Sequence, residues 1–382
     1  MSDYYREIRK LNNQVTLESI RELLNPELTL KFFQLSDNTF HFLKNILEKN
    51  KFTCWFNPAE EDQIIVSFPN WKTVQDITTH PEFRKFKDIS NIYEIQLNLG
   101  RNAWEYSLKE EKWQIDRPLI MGILNITPDS FSDGGKFFKH KYAVDHALKM
   151  VQEGADIIDI GAESTRPGSQ PVSVEEEWKR VYPVLKEVRR QTGQLISIDT
   201  YKSEIALKAL DEGVDIVNDV SGLRFDPEMV KIVARHKVPV ILMHMQGTPR
   251  NMQLKPHYEN LMEEIFQFFA VQIDYARNHG IDQIILDPGI GFGKRYQDNF
   301  ELIRRLAEFR IFGYPLLLGT SRKSFIGRAL DKEVTDRLYG TAATVAIGVL
   351  NGANILRVHD VKEIRDIISI SQLIKQSFHS ER

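Results

Sequence analysis

The sequence predicts an α/β protein, a (β/α)8 barrel over residues 116–382 preceded by a small α+β domain over residues 1–115. Two observations carry the barrel. From about residue 118, short β-branched apolar runs alternate with helix-period segments, eight times in roughly 260 residues, which matches such a barrel in count and length. The runs are nearly continuous in apolar residues, as parallel strands buried on both faces are. A doubly wound open sheet is the competing architecture. The first ~115 residues have a different texture, with amphipathic helices set among strands of mixed alternation, and this sets them apart as a separate domain.

In chain order, the N-terminal part offers helices at "VTLESIRELLN" and "NTFHFLKNILEKN", and strands at "LTLKFFQLS", "FTCWF", "QIIVSFP" and "IYEIQLNL". A polar linker, "KEEKWQIDRP", follows. The barrel strands read as "LIMGILNIT", "ADIIDIGA", "LISIDT", "DIVNDV", "VPVILMHM", "QIILDPG", "PLLLGTS" and "NILRVHD". Helices between them include "YAVDHALKMVQEG", "VEEEWKRVYPVLKEVRR", "SEIALKALDEG" and "DPEMVKIVARHK". Gly154, Gly213, Gly280 and Gly352 stand where helices should end.

Composition narrows the function. The 50 basic and 53 acidic residues leave a net charge of −3, so no global field favours nucleic acid or a membrane surface. Cys54 is the single cysteine, which excludes an intrachain disulfide or a cysteine-based metal site and fits a reducing compartment. No apolar signal region opens the chain, and no stretch approaches the ~18 apolar residues of a membrane span. A cytoplasmic protein is expected.

In such a barrel, chemistry collects at the C-terminal ends of the strands. Strand one ends in Asn125 and Thr127, and Glu163, Ser164, Thr165 and Arg166 follow strand two. Strand three ends in Asp199, strand four in Asn218 and Asp219, and strand five carries Met243, His244 and Met245. Asp287 ends strand six, Arg322, Lys323 and Ser324 follow strand seven, and strand eight delivers Arg357, His359 and Asp360. Unpaired buried carboxylates are costly, so converging acids need donors, and Lys323, Arg357 and Arg166 could neutralise them in a purely structural network. The functional alternative is a pit for a flat heterocycle with amide-like donors and acceptors. Arg357, His359 and Asn125 then suit an anion beside it, with or without a metal.

The stretch "ILDPGIGFGKR" tempts a phosphate-loop reading, but Pro288 and Arg295 stand where that motif needs glycine and Ser or Thr. The spacing of Gly289, Gly291 and Gly293 fails the dinucleotide pattern as well. Lys294 is therefore expected at the periphery.

Eight segments in order, "MGILNITPDSFSDGGKF", "GAESTRPG", "ISIDT", "NDVSG", "LMHMQGTP", "LDPGIGFGK", "GTSRKSFIG" and "RVHDV", resemble dihydropteroate synthase. The resemblance runs from about Leu119 to the C-terminal helix and leaves the first ~115 residues uncovered. It implies condensation of 6-hydroxymethyl-7,8-dihydropterin diphosphate with 4-aminobenzoate to 7,8-dihydropteroate and pyrophosphate. By motif, Asp199, Asn218, Met243, Asp287 and Lys323 would form the pterin site. Asn125, Thr165, Arg357 and His359 would hold the diphosphate, with a magnesium ion at Asn125. Phe131, Thr165, Arg166, Pro167, Phe292 and Ser324 would face the aminobenzoate, and the loops "TPDSFSDGGKFFKHK" and "ESTRPGSQPVS" would close over it.

The implied mechanism is dissociative and needs no nucleophilic side chain. Asp199, Lys323, Arg357 and His359 would act as fixed charges and donors around the leaving group and the pterin cation. Sulfonamides, which imitate 4-aminobenzoate, should compete with it, and a homodimer is expected. Two readings stay in competition: a pterin-binding methyltransferase on the same barrel, and a non-catalytic scaffold or regulatory paralogue. The methyltransferase has no need of "SRKS" and "RVHD" to hold a leaving diphosphate.

Overall fold

A computed structural model of the chain describes residues 29–32, 36–49, 52–56, 64–67, 97–108, 111–127, 136–164 and 169–377. Two compact units emerge, Met1–Gly100 and Arg101–Arg382.

In the first unit, strands β1 (Thr29–Phe32), β2 (Thr53–Phe56) and β3 (Ile64–Ser67) form an antiparallel sheet with β3 in the middle. Helix α1 (Asp37–Lys49) buries Phe40, Leu43 and Leu47, the i, i+3, i+7 stripe of an amphipathic helix. Cys54 lies on β2. The helix expected at 15–25 falls outside the described residues. Residues 97–99, expected at the end of a strand, lie in a helical turn over 97–100.

The second unit opens with a hairpin of β4 (Trp104–Leu108) and β5 (Glu111–Ile115). Glu111–Ile115 lies inside the stretch expected to be a polar linker. Its structural role explains the difference: Trp104, Tyr106, Leu108, Trp113 and Ile115 share one buried cluster with the first inward residues of the barrel strands. The hairpin thus plugs the N-terminal end of the barrel. Tyr106 donates its hydroxyl to the Ile284 carbonyl at 2.6 Å, and the Trp104 indole donates to the Gly313 carbonyl at 2.7 Å. Each aromatic ring is buried with its polar tip satisfied.

Eight parallel strands follow: β6 (Leu119–Asn125), β7 (Ile157–Gly161), β8 (Leu195–Asp199), β9 (Ile216–Asp219), β10 (Val240–Met243), β11 (Ile284–Asp287), β12 (Leu317–Leu318) and β13 (Ile355–Val358). They are hydrogen-bonded in the order β11-β10-β9-β8-β7-β6-β13-β12. A parallel bridge between Leu286 and Leu316 joins the two ends, so the sheet is a closed barrel and the open-sheet alternative is excluded. The pleat sends Ile120, Leu124, Ile158, Ile160, Ile196 and Ile198 outward into the helix layer. Leu119, Met121, Ile157, Ile216, Ile241 and Ile285 point inward instead. Burial on both faces accounts for the continuous apolar runs.

Helices α2 (Lys136–Glu153), α3 (Val174–Gln191), α4 (Ser203–Asp211), α5 (Met229–His236), α6 (Leu261–Asn278), α7 (Tyr296–Arg304), α8 (Ser324–Leu330), α9 (Leu338–Leu350) and α10 (Val361–Ser377) surround the strands. Helix α2 begins at Lys136 and takes in residues expected to lie in the preceding loop. Ser173 caps α3, its side chain accepting from the Glu176 backbone N–H. No helix among the described residues is long and apolar enough to cross a membrane.

Candidate active site

Strand register brings polar side chains together at the C-terminal end of the barrel. Asn125, Gly161, Asp199 and Asn218 stand side by side across β6–β9, and Met243 and Asp287 pair across β10 and β11. One layer deeper, Asp159 on β7 is opposite Ser197 on β8. Asp159 and Ser197 are fully buried, and the Asp159 Oδ1 and Ser197 Oγ atoms have no hydrogen-bond partner among the described residues.

Arg357 organises this end. Its Nε donates to Asp159 Oδ2 at 2.6 Å, and a terminal nitrogen donates to Asp199 Oδ2 at 2.7 Å. Asn218 Nδ2 adds a second donor to Asp159 Oδ2 at 3.2 Å. Burial works against the Arg357 cation, but Asp159 and Asp199 outweigh it and hold the guanidinium above its ordinary pKa. Burial pushes Asp199 up to about 7, against the pull of Arg357. The side chains of Arg357 and Asp199 keep 19% and 11% of their surface, so both remain reachable from the mouth.

Opposite them, Asp287 ends β11 with its backbone oxygen accepting from His244 N–H and its Oδ1 accepting from Gly289 N–H, 2.9 and 2.8 Å. Burial raises its pKa, opposed chiefly by Lys323. Lys323 donates to the Ile290 carbonyl and lies 4.7 Å over the Phe292 ring. Burial lowers the Lys323 ammonium to about 8, while Asp287 works to keep it charged. The result is a cluster of opposed charges at the barrel mouth, largely withdrawn from the water that would screen them. Met243 is buried beside Val220 and Met245, with Phe292 packed on the same cluster.

The glycine-rich stretch now has a physical reason. It is the turn after β11, docked on the end of β10. A Cβ at Gly289 would come within 1.9 Å of the His244 carbonyl oxygen, and one at Gly293 within 2.4 Å of the Gln246 oxygen. Both residues have positive φ, 70° and 59°, which side chains disfavour as well.

Asp199, Asn218, Met243, Asp287, Lys323 and Arg357 are therefore gathered at one mouth. Asn125 joins the same row, half-buried, and Ser324 is exposed at the start of α8. His359 is tied to the strand-seven loop through Ser321 Oγ at 3.0 Å. Phe131, Thr165, Arg166 and Pro167 lie outside the described residues, as do residues 128–135 of the first loop expected to close over the site and 165–168 of the second. Other strand-end groups are used locally. Asp219 caps the turn at Ser221 and Leu223, and Arg322 pairs with Asp360.

Three features escaped the sequence reading. Asp159 sits inside an apolar strand run, where a mid-strand carboxylate was the available signal. Lys202 bonds Glu163, the Val172 carbonyl at 2.5 Å and buried Glu177 at 2.6 Å, so Glu163 is the acceptor of a salt bridge. Lys294 corrects the expectation of a peripheral residue: it is buried at 3% exposure, with Nζ 2.8 Å from His244 Nδ1. Sequence spacing cannot show that, because the glycine turn folds Lys294 back under the strand ends.

Residues 121–359 match the family model described as pterin binding enzyme. A dihydropteroate synthase from Synechocystis is 48% identical over 261 residues, 68% of this chain and 90% of that protein. A dihydropteroate synthase from Yersinia pestis, solved with a sulfonamide drug complex, aligns with a TM-score of 0.68 at 40% identity, covering 72% of this chain and 100% of that one. The Xanthomonas albilineans dihydropteroate synthase solved with 4-aminobenzoic acid aligns at a TM-score of 0.68 and 40% identity, covering 72% and 98%.

Proposed function

The chain belongs to the pterin binding enzyme family, among its dihydropteroate synthases, and from that premise we propose the roles of its residues. It is a transferase of folate biosynthesis that condenses 6-hydroxymethyl-7,8-dihydropterin diphosphate with 4-aminobenzoate to 7,8-dihydropteroate and pyrophosphate. The carrying observation is the buried constellation of Asp159, Asp199, Asn218, Asp287, Lys323 and Arg357 at the barrel mouth.

Asp287 accepts from the pterin amino and ring N–H groups, because an ionised carboxylate can take two donors at once. Asn218 and Asp199 bind another edge, Lys323 donates to the carbonyl side, and Met243 packs on the ring. Arg357, His359, Asn125 and Thr165 hold the diphosphate. Phe131, Thr165, Arg166, Pro167, Phe292 and Ser324 receive the aminobenzoate, the subsite in which sulfonamides compete. Pyrophosphate departs from the exocyclic methylene carbon, and the arylamine nitrogen attacks the resulting cation and sheds a proton. Asp199 stabilises the cation and the anion site stabilises the leaving group, both as fixed charges.

Magnesium fits this reading as a companion of the diphosphate. Among the described residues no three His, Cys, Asp or Glu side chains converge on a metal position. Asn125 alone would contribute one amide oxygen, which suits an ion that leans on substrate phosphates and water. Bound there, it would neutralise charge on the departing group. A homodimer is supported by exposed apolar side chains on adjacent α9 and α10: Tyr339, Ile347 and Leu350 on one, Ile370, Leu373 and Ile374 on the other. A cytoplasmic location accords with the single cysteine.

Purified protein given magnesium and both substrates should release pyrophosphate and dihydropteroate in equal amounts. Folded protein that forms no product overturns the reading.

A further inference from the structure

Lys294 is a buried lysine that the proposed chemistry leaves unused, its ammonium lowered by burial to about 7. Three acceptors surround its Nζ: His244 Nδ1 at 2.8 Å, the Phe292 carbonyl at 3.1 Å and the His244 carbonyl at 3.4 Å, one for each N–H of the charged form. His244 directly follows β10, and Phe292 belongs to the glycine-rich turn that follows β11. The contacts therefore cross from one strand end to the neighbouring turn. Tyr258, from the loop before α6, covers the pair: its ring lies 5.9 Å from the ammonium and its hydroxyl donates to the Gly293 carbonyl at 2.6 Å.

We propose that Lys294 is a positioning residue, which locks the turn 288–294 onto the end of β10 and so fixes the Phe292 face of the site. This deepens the reaction proposed above and rests on it. Burial disfavours the charged form of His244, and the neutral tautomer protonated at Nε2 accepts from Lys294 at Nδ1. Asp287, at the start of the turn, has independent anchors in His244 N–H and Gly289 N–H. Phe292 is held by the Lys294 contact to its own carbonyl and by its amide, which donates to the Gly289 carbonyl at 3.0 Å within the turn. Releasing Lys294 thus disturbs the aminobenzoate side far more than the pterin side.

The test separates the two subsites. Lys294→Met should raise the KM for 4-aminobenzoate and the Kd of a sulfonamide about tenfold or more, since displacing a binding face by ~1 Å can cost up to about a hundredfold. The Kd for dihydropterin diphosphate, read by calorimetry, should stay within about threefold, since the backbone anchors of Asp287 remain and Lys294 acts on it less than Lys323 or Arg357 does. His244→Leu removes the acceptor and should give the same split, whereas His244→Gln keeps an acceptor and should stay near wild type. The double variant Lys294→Met/His244→Leu should be no worse than the poorer single one. If Lys294→Met fails to fold, the two His244 variants decide. Equal loss at both ligands, or no loss in His244→Leu, overturns the positioning role. Wild-type protein that makes no dihydropteroate removes the reaction itself, whereas an active wild type with unaffected variants removes only this inference.

Discussion

The two ends of the barrel use the same eight strands for opposite purposes. At the N-terminal end, the inward residues are Leu119, Met121, Ile157, Ile216, Ile241 and Ile285, sealed by the aromatic hairpin. Two residues further along β7, the inward position is Asp159, and beyond it come Asp199, Asn218 and Asp287 on neighbouring strands. The lower end contributes stability through apolar burial. The upper end holds carboxylates and cations in low-dielectric surroundings, where they are costly unless paired and strong when a ligand completes them. Burial of a charge is the cost, and a rigid apolar base is what lets the chain bear it.

The sharpest way to break this contrast is to remove the plug. A chain beginning at Arg101 keeps the hairpin and should fold as a barrel, whereas one beginning at Asp116 should not. Five buried apolar side chains, at about 1.5–3 kcal/mol each, are comparable to the ~5–15 kcal/mol stability of a whole domain. Near-ultraviolet circular dichroism and urea titration of the two fragments decide it, and equal stability would contradict the account of the lower end.

At the upper end, Asp287→Asn should weaken dihydropterin diphosphate binding about a hundredfold. An amide cannot accept two N–H donors as the carboxylate does, and bonds to charged groups are worth about 1.5–3 kcal/mol each. Calorimetry checks it, with urea midpoints expected to change little. Near-normal affinity would refute the assignment of Asp287.

Activity should also follow pH from both sides. Asp199, raised by burial to about 7, gains its charge as pH climbs through that value. Lys323, lowered by burial to about 8, loses its charge as pH climbs further. Log kcat/KM for the pterin, which reports the free enzyme, should rise towards pH 7 and fall above pH 8. Lys323→Arg keeps its charge throughout, so its falling limb should vanish whatever the absolute rate. A falling limb that persists in that variant assigns it to another group.

The smallest effect belongs to the plug again. Tyr106→Phe deletes one buried hydrogen bond to Ile284 and should cost about 0.5–1.5 kcal/mol, visible in denaturation and invisible in KM.

All eight barrel strands were legible because burial on two faces leaves little room for polar residues. The hairpin was less so. "KEEKWQIDRP" is mostly polar by count, yet Trp113 and Ile115 alternate with solvent-facing neighbours, a period that composition hides. At the site, Asp199, Asn218, Asp287, Lys323 and Arg357 were readable as polar groups at strand ends. Asp159 was not, since a deeper layer shows only when strands are set in register. Lys294 was misread because its neighbours in sequence are glycines that turn the chain back, and the direction of a turn is not a property of spacing.

From the order of residues alone follow the barrel, its strands and the end where chemistry collects, because local periodicity and burial demands act within short segments. Pairings of residues far apart in the chain belong to the closed fold: Arg357 with Asp159 and Asp199, Lys202 with Glu163 and Glu177, Lys294 with His244. Hydrogen bonds and charges act over a few ångströms, and only a closed barrel decides which distant residues come that near.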